Sequence, residues 1–486
     1  MVGPDYLPPE LDNPQVLPSA NESSVVEQDA VDLAWWESLN DPGLNKVIQH
    51  MRAQNLSLRV AGLRILESRA TLGLAESQLY PFSQVNGSLN RLDLSQNSAN
   101  GALSDNSFGD ARVSFDTSWE IDFWGRFRRD IEAANALLER DLAQFSDALV
   151  LVTAETARAY ITVRIVEERL RLAADNVATQ LRALEIATVR FNNGATTELD
   201  VAQAQTILSA TRASIPALEA LLVQAKNGLA ALLNQTYSEI DFLLEQSAGI
   251  PTAPNEVTVG IPADLLRRRP DVQVAERNLA AQSAGIGVAM AELYPHIGLN
   301  GSLGFQSSDA SNPFGGGSPD IGDLFESNSS TGAIGPFLSW NVLNFDRIEN
   351  NIRVQDVRFQ QLLVIYRDSI IKALAETDSA IATFDKSITQ AEFLTQSAAA
   401  ALRSVELASI QYSEGQTDFN RVAIALEAAN AQQDRMAQAQ GAIALNLVSL
   451  YRTLGGGWQS YGDDYVPEDM RQELLDRSNY WQEVFE

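Results

Sequence analysis

The stretch Ala111-Arg112-Val113-Ser114-Phe115-Asp116-Thr117-Ser118-Trp119-Glu120-Ile121-Asp122-Phe123-Trp124-Gly125-Arg126 changes its period part-way along. Up to Phe123 the odd positions are mainly apolar and the even ones polar, the period of two of a strand with one dry and one wet face. Beyond Gly125 the pattern becomes helical. From Arg126 to Asn193 there is neither Gly nor Pro. Tyr160, Val163, Val166, Leu170, Ala173, Val177, Leu181 and Leu184 recur at spacings of three and four. An uninterrupted helix of that length reaches on the order of 100 Å. Ala fills much of the remaining seam, where small side chains let helices approach closely.

The same switch occurs again. Residues 118–194 lie over 339–415 at a constant offset: Ser118-Trp119 on Ser339-Trp340, Arg126 on Arg347, Ala154-Glu155-Thr156 on Ala375-Glu376-Thr377, Phe191 on Tyr412 and Gly194 on Gly415. Upstream, Leu79-Tyr80-Pro81 recurs as Leu293-Tyr294-Pro295, and Asn86-Gly87-Ser88-Leu89 as Asn300-Gly301-Ser302-Leu303. Two copies of a unit of roughly 200 residues are therefore fused. Each copy opens with a helical stretch, Leu44–Tyr80 and Asp264–Tyr294, stopped by Pro81 and Pro295. A strand hairpin follows, over 82–124 and 296–345. A long helical hairpin follows that, over 126–234 and 347–454, turning at Gly194 and Gly415. The organisation is an N-terminal belt segment 1–43, repeat 1 at 44–234, a linker 235–262, repeat 2 at 263–454 and an acidic C-terminal segment 455–486. The segments outside the repeats are expected to wrap the helices as a belt, the last as a solvated tail.

In copy two, Ile297, Leu299, Leu303 and Phe305 alternate with polar or small residues, as do Ile334, Pro336, Leu338, Trp340 and Val342. The first strand of copy one is the weakest, with Val85 and Leu89 giving way to Arg91 and Asp93. Long Ser-, Asn-, Gly- and Asp-rich connections, 95–110 and 307–331, lie at one end of the hairpins. Tyr80, Phe82, Trp124, Tyr294 and Phe345 lie at the other. Strands of about ten residues with this dressing suit a membrane barrel, and the strands alone also suit a soluble sandwich with one wet face. The helices favour the barrel. Four strands cannot close, and lipid tolerates no open sheet edge, so a membrane reading requires several chains to share one barrel. Three chains give twelve strands, wide enough for a lumen.

Composition narrows the function. A net charge of −28 opposes nucleic-acid binding, because phosphates are met by Lys and Arg. No uninterrupted run of eighteen apolar residues marks a membrane helix. Zero Cys leaves no disulfide, thiolate metal site or Cys nucleophile. His50 and His296 lack metal-ligand spacing, and no nucleophile–base set or phosphate loop appears. Gly315-Gly316-Gly317 has no following Lys. An enzyme is not expected. Arg267-Arg268-Arg269 reads as structural ion pairing near a helix start.

Five stretches together resemble the outer-membrane factor family, the TolC-like channels of bacterial efflux and type I secretion, in its lipoprotein branch. They are Val2-Gly3-Pro4-Asp5-Tyr6-Leu7-Pro8-Pro9; Trp35-Trp36 with Asp41-Pro42 and Leu44; Trp119–Arg126; Arg190-Phe191-Asn192-Asn193-Gly194 leading to Leu199-Asp200-Val201-Ala202-Gln203-Ala204-Gln205; and Ile261-Pro262-Ala263-Asp264-Leu265-Leu266-Arg267-Arg268-Arg269-Pro270-Asp271. The resemblance implies an α+β membrane protein. Its homotrimer has a twelve-stranded outer-membrane β-barrel continued by a twelve-helix periplasmic α-barrel. Substrate passes from an inner-membrane transporter through a periplasmic adaptor protein to the exterior. It implies no cofactor beyond an acyl chain on a Cys just upstream of Val2, a residue this chain lacks.

Lipid is expected at Val113, Phe115, Leu299 and Leu338. Adaptor contact is implied at the helix turns Asn193, Gly194, Ala195 and Thr196, and Glu414, Gly415, Gln416 and Thr417. Asp200 and Tyr412 hold the positions that latch neighbouring coils shut in TolC-like channels. Thr417 replaces the Arg that completes that latch, with Arg421 a candidate substitute one turn along. Thr197-x-x-Asp200 also reads as a capping box, and Asp418 as an acid favoured by a helix N-terminus. In a trimer Asp418 becomes a ring of three that constricts and selects cations. The expected function is a passive efflux exit duct. The alternatives are a soluble coiled-coil scaffold and a type I secretion duct. Because four strands cannot close, the protein in detergent is expected to crosslink and weigh as a trimer; a well-folded monomer would contradict the shared barrel.

Overall fold

A computed structural model of the chain describes residues 1–9, 18–19, 25–27, 34–95, 97, 107–245, 249–254, 257–259, 269–310, 320–462 and 465–485. Residues 261–268, with Arg267 and Arg268, lie outside the described residues, as do Gly315-Gly316-Gly317 and most of the first hairpin connection. The chain divides into a sheet unit (1–9, 66–139, 276–365) and a helical unit (10–65, 140–275, 366–486).

In the sheet unit, strands β2 (Phe82–Asp93), β3 (Ser107–Glu120), β5 (His296–Ser308) and β6 (Ser330–Ser339) form one antiparallel sheet in the order β2-β3-β5-β6. β2 is as regular as its neighbours despite its weak pattern, because its full length is paired with β3. The register gathers apolar rows on one face and polar rows on the other through the middle of the sheet. Val85, Phe115 and Leu303 lie in one row, and Trp119, Leu299 and Pro336 in another. Gln84, Asp116 and Ser302 share the opposite face. Val113, opposite Gly87 and Phe305, and Leu338, opposite Ile297, fall on the apolar face with Phe115 and Leu299. Phe115 is 50% exposed, Leu338 65% and Ile334 87%, so among the described residues this face is largely uncovered, apart from its loop end, where Phe325 meets Phe305. On the polar face Asp116 accepts hydrogen bonds from Asn86 Nδ2 (2.7 Å), Ser114 Oγ (2.8 Å) and Ser302 Oγ (2.6 Å).

The strands end on paired tryptophans. Trp119 Nε1 donates to Leu79 O at 2.9 Å, and its repeat counterpart Trp340 Nε1 to Leu293 O at 3.1 Å. Trp124 stacks on Tyr294 at 4.6 Å and donates to Pro295 O. Gly125, at φ +86, turns the chain into helix α3 (Arg126–Asn192), a conformation that a Cβ would strain. His296 Nδ1 meets Glu120 at 2.8 Å, and Arg126 bonds the same carboxylate at 3.0 Å. The opening residues, expected in the belt with the rest of 1–43, belong instead to this unit. Val2 N–H donates to Trp124 O, and Arg129, 1% exposed, binds Asp5 and Glu132 at 2.7 Å and the carbonyls of Val2 and Gly3.

α1 (Pro42–Gln54), in the helical unit, and α2 (Leu56–Ser77), whose residues 66–77 belong to the sheet unit, replace the single helix expected over Leu44–Tyr80. The break is Asn55. Its backbone is extended, its Oδ1 accepts from Leu58 N–H and its Nδ2 donates to Leu232 O, so one side chain serves the local break and a distant carbonyl. α3 turns into α4 (Glu198–Leu233), followed by α5 (Tyr237–Leu244). In the second copy α6 (Pro270–Ala291) precedes β5, and α7 (Phe345–Ser413) pairs with α8 (Phe419–Thr453). The core gathers Trp35, Leu44, Tyr160, Phe384 and Leu447, with Trp35 stacked on Tyr451 at 5.3 Å. Asp41 caps α1 through Gly43 N and Leu44 N and also accepts from Tyr160 OH at 2.9 Å. Burial and the neighbouring carboxylate push the Tyr160 hydroxyl up to about 12, so it stays a donor.

Short strands β1 (Val25–Glu27) and β4 (Val257–Val259) pair in parallel. The C-terminal segment is more ordered than a solvated tail. It forms α9 (Glu468–Arg477), with Leu474 and Val466 buried and Asp469 bonded to Arg59 at 2.9 Å. α4 contains an eighteen-residue window apolar enough to cross a membrane by composition. Its Ala204, Ile207, Leu229 and Leu233 are packed within the chain's own cores.

The two-faced sheet has a measurable consequence. Phe115→Arg should destabilise the bilayer-inserted protein by roughly 2–4 kcal/mol, whereas Gln84→Arg, beside Asp116 on the polar face, should cost far less. Equal losses in a folding titration from lipid would contradict the assigned faces.

Candidate functional site

The sequence-selected tip residues all lie in the helical unit, at the turns α3–α4 and α7–α8. Gly194 (φ +70) and Gly415 (φ +78) occupy left-handed positions. Each turn closes with the same pair of bonds: Gly194 N to Phe191 O with Ala195 N to Arg190 O, and Gly415 N to Tyr412 O with Gln416 N to Gln411 O. This is the Schellman ending, which satisfies carbonyls that a helix C-terminus leaves open. Asn193, Ala195, Glu414 and Gln416 are exposed and Thr196 and Thr417 half-buried, so the turns present their polar atoms outward.

Beneath the turns lies a small core of Ala187, Ala204, Ile207, Phe419, Val422 and Leu426 with Tyr412. Tyr412 is 2% exposed, edge-on to Phe419 at 5.3 Å. Its hydroxyl donates to Asp200 Oδ2 at 3.0 Å, and Thr196 Oγ1 donates to the same oxygen. Burial, reinforced by the Asp200 bond, raises the Tyr412 hydroxyl above its ordinary range, keeping it a donor at neutral pH. Asp200 and Tyr412, remote in sequence, are thus brought together across the two hairpins of one chain. The capping box read at Thr197 is not formed, since the Thr197 side chain makes no cap bond. The Asp200 carboxylate is drawn instead to Thr196 and Tyr412. Asp418 caps α8, accepting from Arg421 N at 3.4 Å. Arg421 is exposed, and its side chain makes no hydrogen bond or ion pair among the described residues.

A further functional residue at the tip, Arg190 of the Arg190–Gly194 motif, carries no local sequence signal of its role. Its Nη1 donates to Tyr412 O at 2.6 Å and Ser413 O at 3.2 Å, and its guanidinium lies 4.8 Å from the Tyr412 ring centroid. The available signal was the asymmetry of the repeat, which sets Arg190 over Gln411.

Against this geometry, the sequence model for outer membrane efflux proteins matches residues 47–235 and 261–456, both repeats and most of the chain. The chain belongs to the outer membrane efflux protein family. It is similar to the pyoverdine export outer membrane protein OpmQ of Pseudomonas putida, at 27% identity over 88% of this chain and 89% of that one. It is also similar to the cation efflux system protein CusC of Escherichia coli, at 26% identity over 94% and 96%. A solved structure of the outer-membrane channel OprN superposes with a TM-score of 0.85 at 28% identity, covering 94% of this chain and 99% of that one. This outer membrane efflux protein is therefore a subunit of a bacterial outer-membrane channel, an exit duct of a tripartite pump. Its fold class is the trimeric β-barrel continued by an α-barrel, four strands and four long helices from each chain. The uncovered apolar face of the sheet and its open edges are what that assembly requires.

In this efflux protein Arg269, from the Arg-Arg-Arg-Pro-Asp motif, is a buried ion-pair hub, as expected for that residue. It bonds Asp271 at 2.8 Å, Glu376 at 3.0 Å and Thr453 O at 2.9 Å. These residues line a cavity of about 230 Å³ with Asp147 and Arg452. Burial, followed by repulsion from Asp271, lifts the Asp147 carboxyl from 3.8 to about 6 against the pull of Arg269 and Arg452. The folded chain then holds the Asp147 proton more tightly than the unfolded chain, so this stabilisation is complete below the unfolded value and lost as pH rises through 6. Asp147→Asn should raise the melting temperature of the detergent-solubilised trimer at pH 7.5, with a smaller gain at pH 5. A pH-independent difference would show that the carboxyl does not titrate in that interval.

Proposed function

We propose that the two helix turns are the docking and closing end of a passive exit duct. The adaptor protein of the pump engages Asn193–Thr196 and Glu414–Thr417, and the Asp200–Tyr412 contact holds the tip closed when no adaptor is docked. The observation that carries this reading is the single carboxylate of Asp200 receiving hydroxyls from Thr196 on its own turn and Tyr412 on the other hairpin. Breaking that bond frees α7 and α8 to swing as one arm. Asp418 caps the arm's return helix, so in a trimer three Asp418 carboxylates approach one another where the arms converge. Like charges a few Å apart repel even at a surface dielectric, which favours a bound cation there and makes the closed tip cation-selective.

Cargo choice belongs to the inner-membrane transporter and adaptor. Relatives of this fold are named for pyoverdine export and for cation efflux, chemistries with little in common. Residues 2–5, held against Trp124 and Arg129 where β3 gives way to α3, suit an N-terminal acyl anchor at the membrane surface.

In planar bilayers the D200V/Y412F pair should raise single-channel conductance. Asp418→Asn should chiefly lower the cation-to-anion permeability ratio. Wild-type conductance in the double variant would place the closing contacts elsewhere.

A further inference from the structure

Tyr412 can reach Asp200 only while the last turn of α7 stays against the last turn of α3, and a hydroxyl bond alone does not secure that. We propose that Arg190 is the positioning residue of the tip: a within-chain tie that seats Tyr412 against Asp200, so that losing the tie loosens the α7–α8 arm as losing the Asp200–Tyr412 bond does. The inference rests on the gate reading above and deepens it.

Arg190 lies in the last turn of α3, and its Nη1 reaches the carbonyls of Tyr412 and Ser413 in the last turn of α7. One guanidinium therefore sits between two helix C-termini, whose open carbonyls and dipoles favour a cation. The Tyr412 carbonyl accepts from both Gly415 N–H and Arg190, so the tie shares an acceptor with the bond that closes the turn. The guanidinium also covers the Tyr412 ring, with its terminal nitrogens 3.5 and 3.6 Å from where a Cβ on Gly415 would stand. Backbone, ring and turn are thus all held by one side chain, and the Tyr412 hydroxyl is left pointing at Asp200.

Two features suit a releasable tie. The Nε of Arg190 is buried with no acceptor among the described residues, so the guanidinium is not bonded at every donor. The equivalent position in the second repeat is Gln411, so no second Arg returns the contact from α7 to α3. Because both partners are in one chain, each subunit carries its own tie. Thr417 carries no charge and the Arg421 side chain makes no hydrogen bond or ion pair among the described residues, so the cation that joins the two turns comes from α3.

The test is single-channel conductance of the purified trimer for wild type, Arg190→Met, Arg190→Lys and D200V/Y412F, with trimer melting followed in parallel. Met keeps the stem over the Tyr412 ring and removes the donors; Lys restores a charged donor. R190M should raise conductance as the D200V/Y412F pair does, and R190K should restore most of the closed state. A residue that only stabilises the fold would lower the melting temperature without this conductance pattern. Wild-type conductance in R190M, with a rise in D200V/Y412F, would overturn the role of Arg190 and leave the gate reading standing. No rise in either would sink both. Should R190M fail to assemble, R190Q takes its place with the same outcomes.

Discussion

The backbone of an unpaired sheet edge cannot be left in hydrocarbon, where each unsatisfied N–H or C=O costs several kcal/mol. Every large feature of this chain follows from that constraint. The sheet β2-β3-β5-β6 satisfies its three internal seams and leaves the outer sides of β2 and β6 open. The apolar face bearing Val85, Phe115, Leu303 and Ile334 is likewise uncovered. A soluble protein would fold a helix over such a face. Here the exposed residues and open edges are both met by copies of the same chain and by lipid, so the subunit is complete only within the channel.

The internal repeat distributes the work. Trp119 and Trp340 tie equivalent strand ends to equivalent carbonyls, Leu79 and Leu293, and Gly194 and Gly415 end equivalent helices with identical bond patterns. Two of the differences between the copies lie at the tip. Phe191 aligns with Tyr412, whose hydroxyl binds Asp200. Arg190 aligns with Gln411, and the Arg bonds the Tyr412 and Ser413 carbonyls of the other turn. Duplication supplied the scaffold, and divergence at a few tip residues made the two hairpins bind each other unequally.

Buried charge in the helical unit is arranged around arginines that bond carbonyls as well as carboxylates. Arg269 joins the α6 start to α7 and the end of α8 through Asp271, Glu376 and Thr453 O. Arg164 joins Glu167, Tyr160 and Leu244 O. A guanidinium that satisfies several main-chain acceptors at once repays its desolvation more readily than an isolated ion pair does. The exposed pairs along the long helices, such as Arg171 with Glu168 and Arg403 with Glu406, bond carboxylates alone.

Much of this was legible in the residues alone. The period change at Gly125, the Gly- and Pro-free runs and the displaced copy specify strand hairpins, long helices and their number, because periodicity and breakers act locally. The set expected to face lipid, Val113, Phe115, Leu299 and Leu338, follows from alternation, and the tertiary register keeps it on one face. What the sequence left open depended on partners far along the chain. Alternation cannot say that β3 pairs with β5 across an excursion of some 175 residues, nor that residues 2–5 are held by Trp124 and Arg129. A helical pattern cannot reveal that Asn55 breaks α1 from α2, because its amide is engaged by the distant Leu232 carbonyl. The local signal at Thr197 and Asp200 pointed to a capping box, and the tertiary structure overrode it, since a carboxylate within reach of a buried tyrosine hydroxyl has a stronger claim on its geometry. Arg190 was visible as a letter in a motif. Its role emerged only when folding brought two helix ends, remote in sequence, to the same guanidinium.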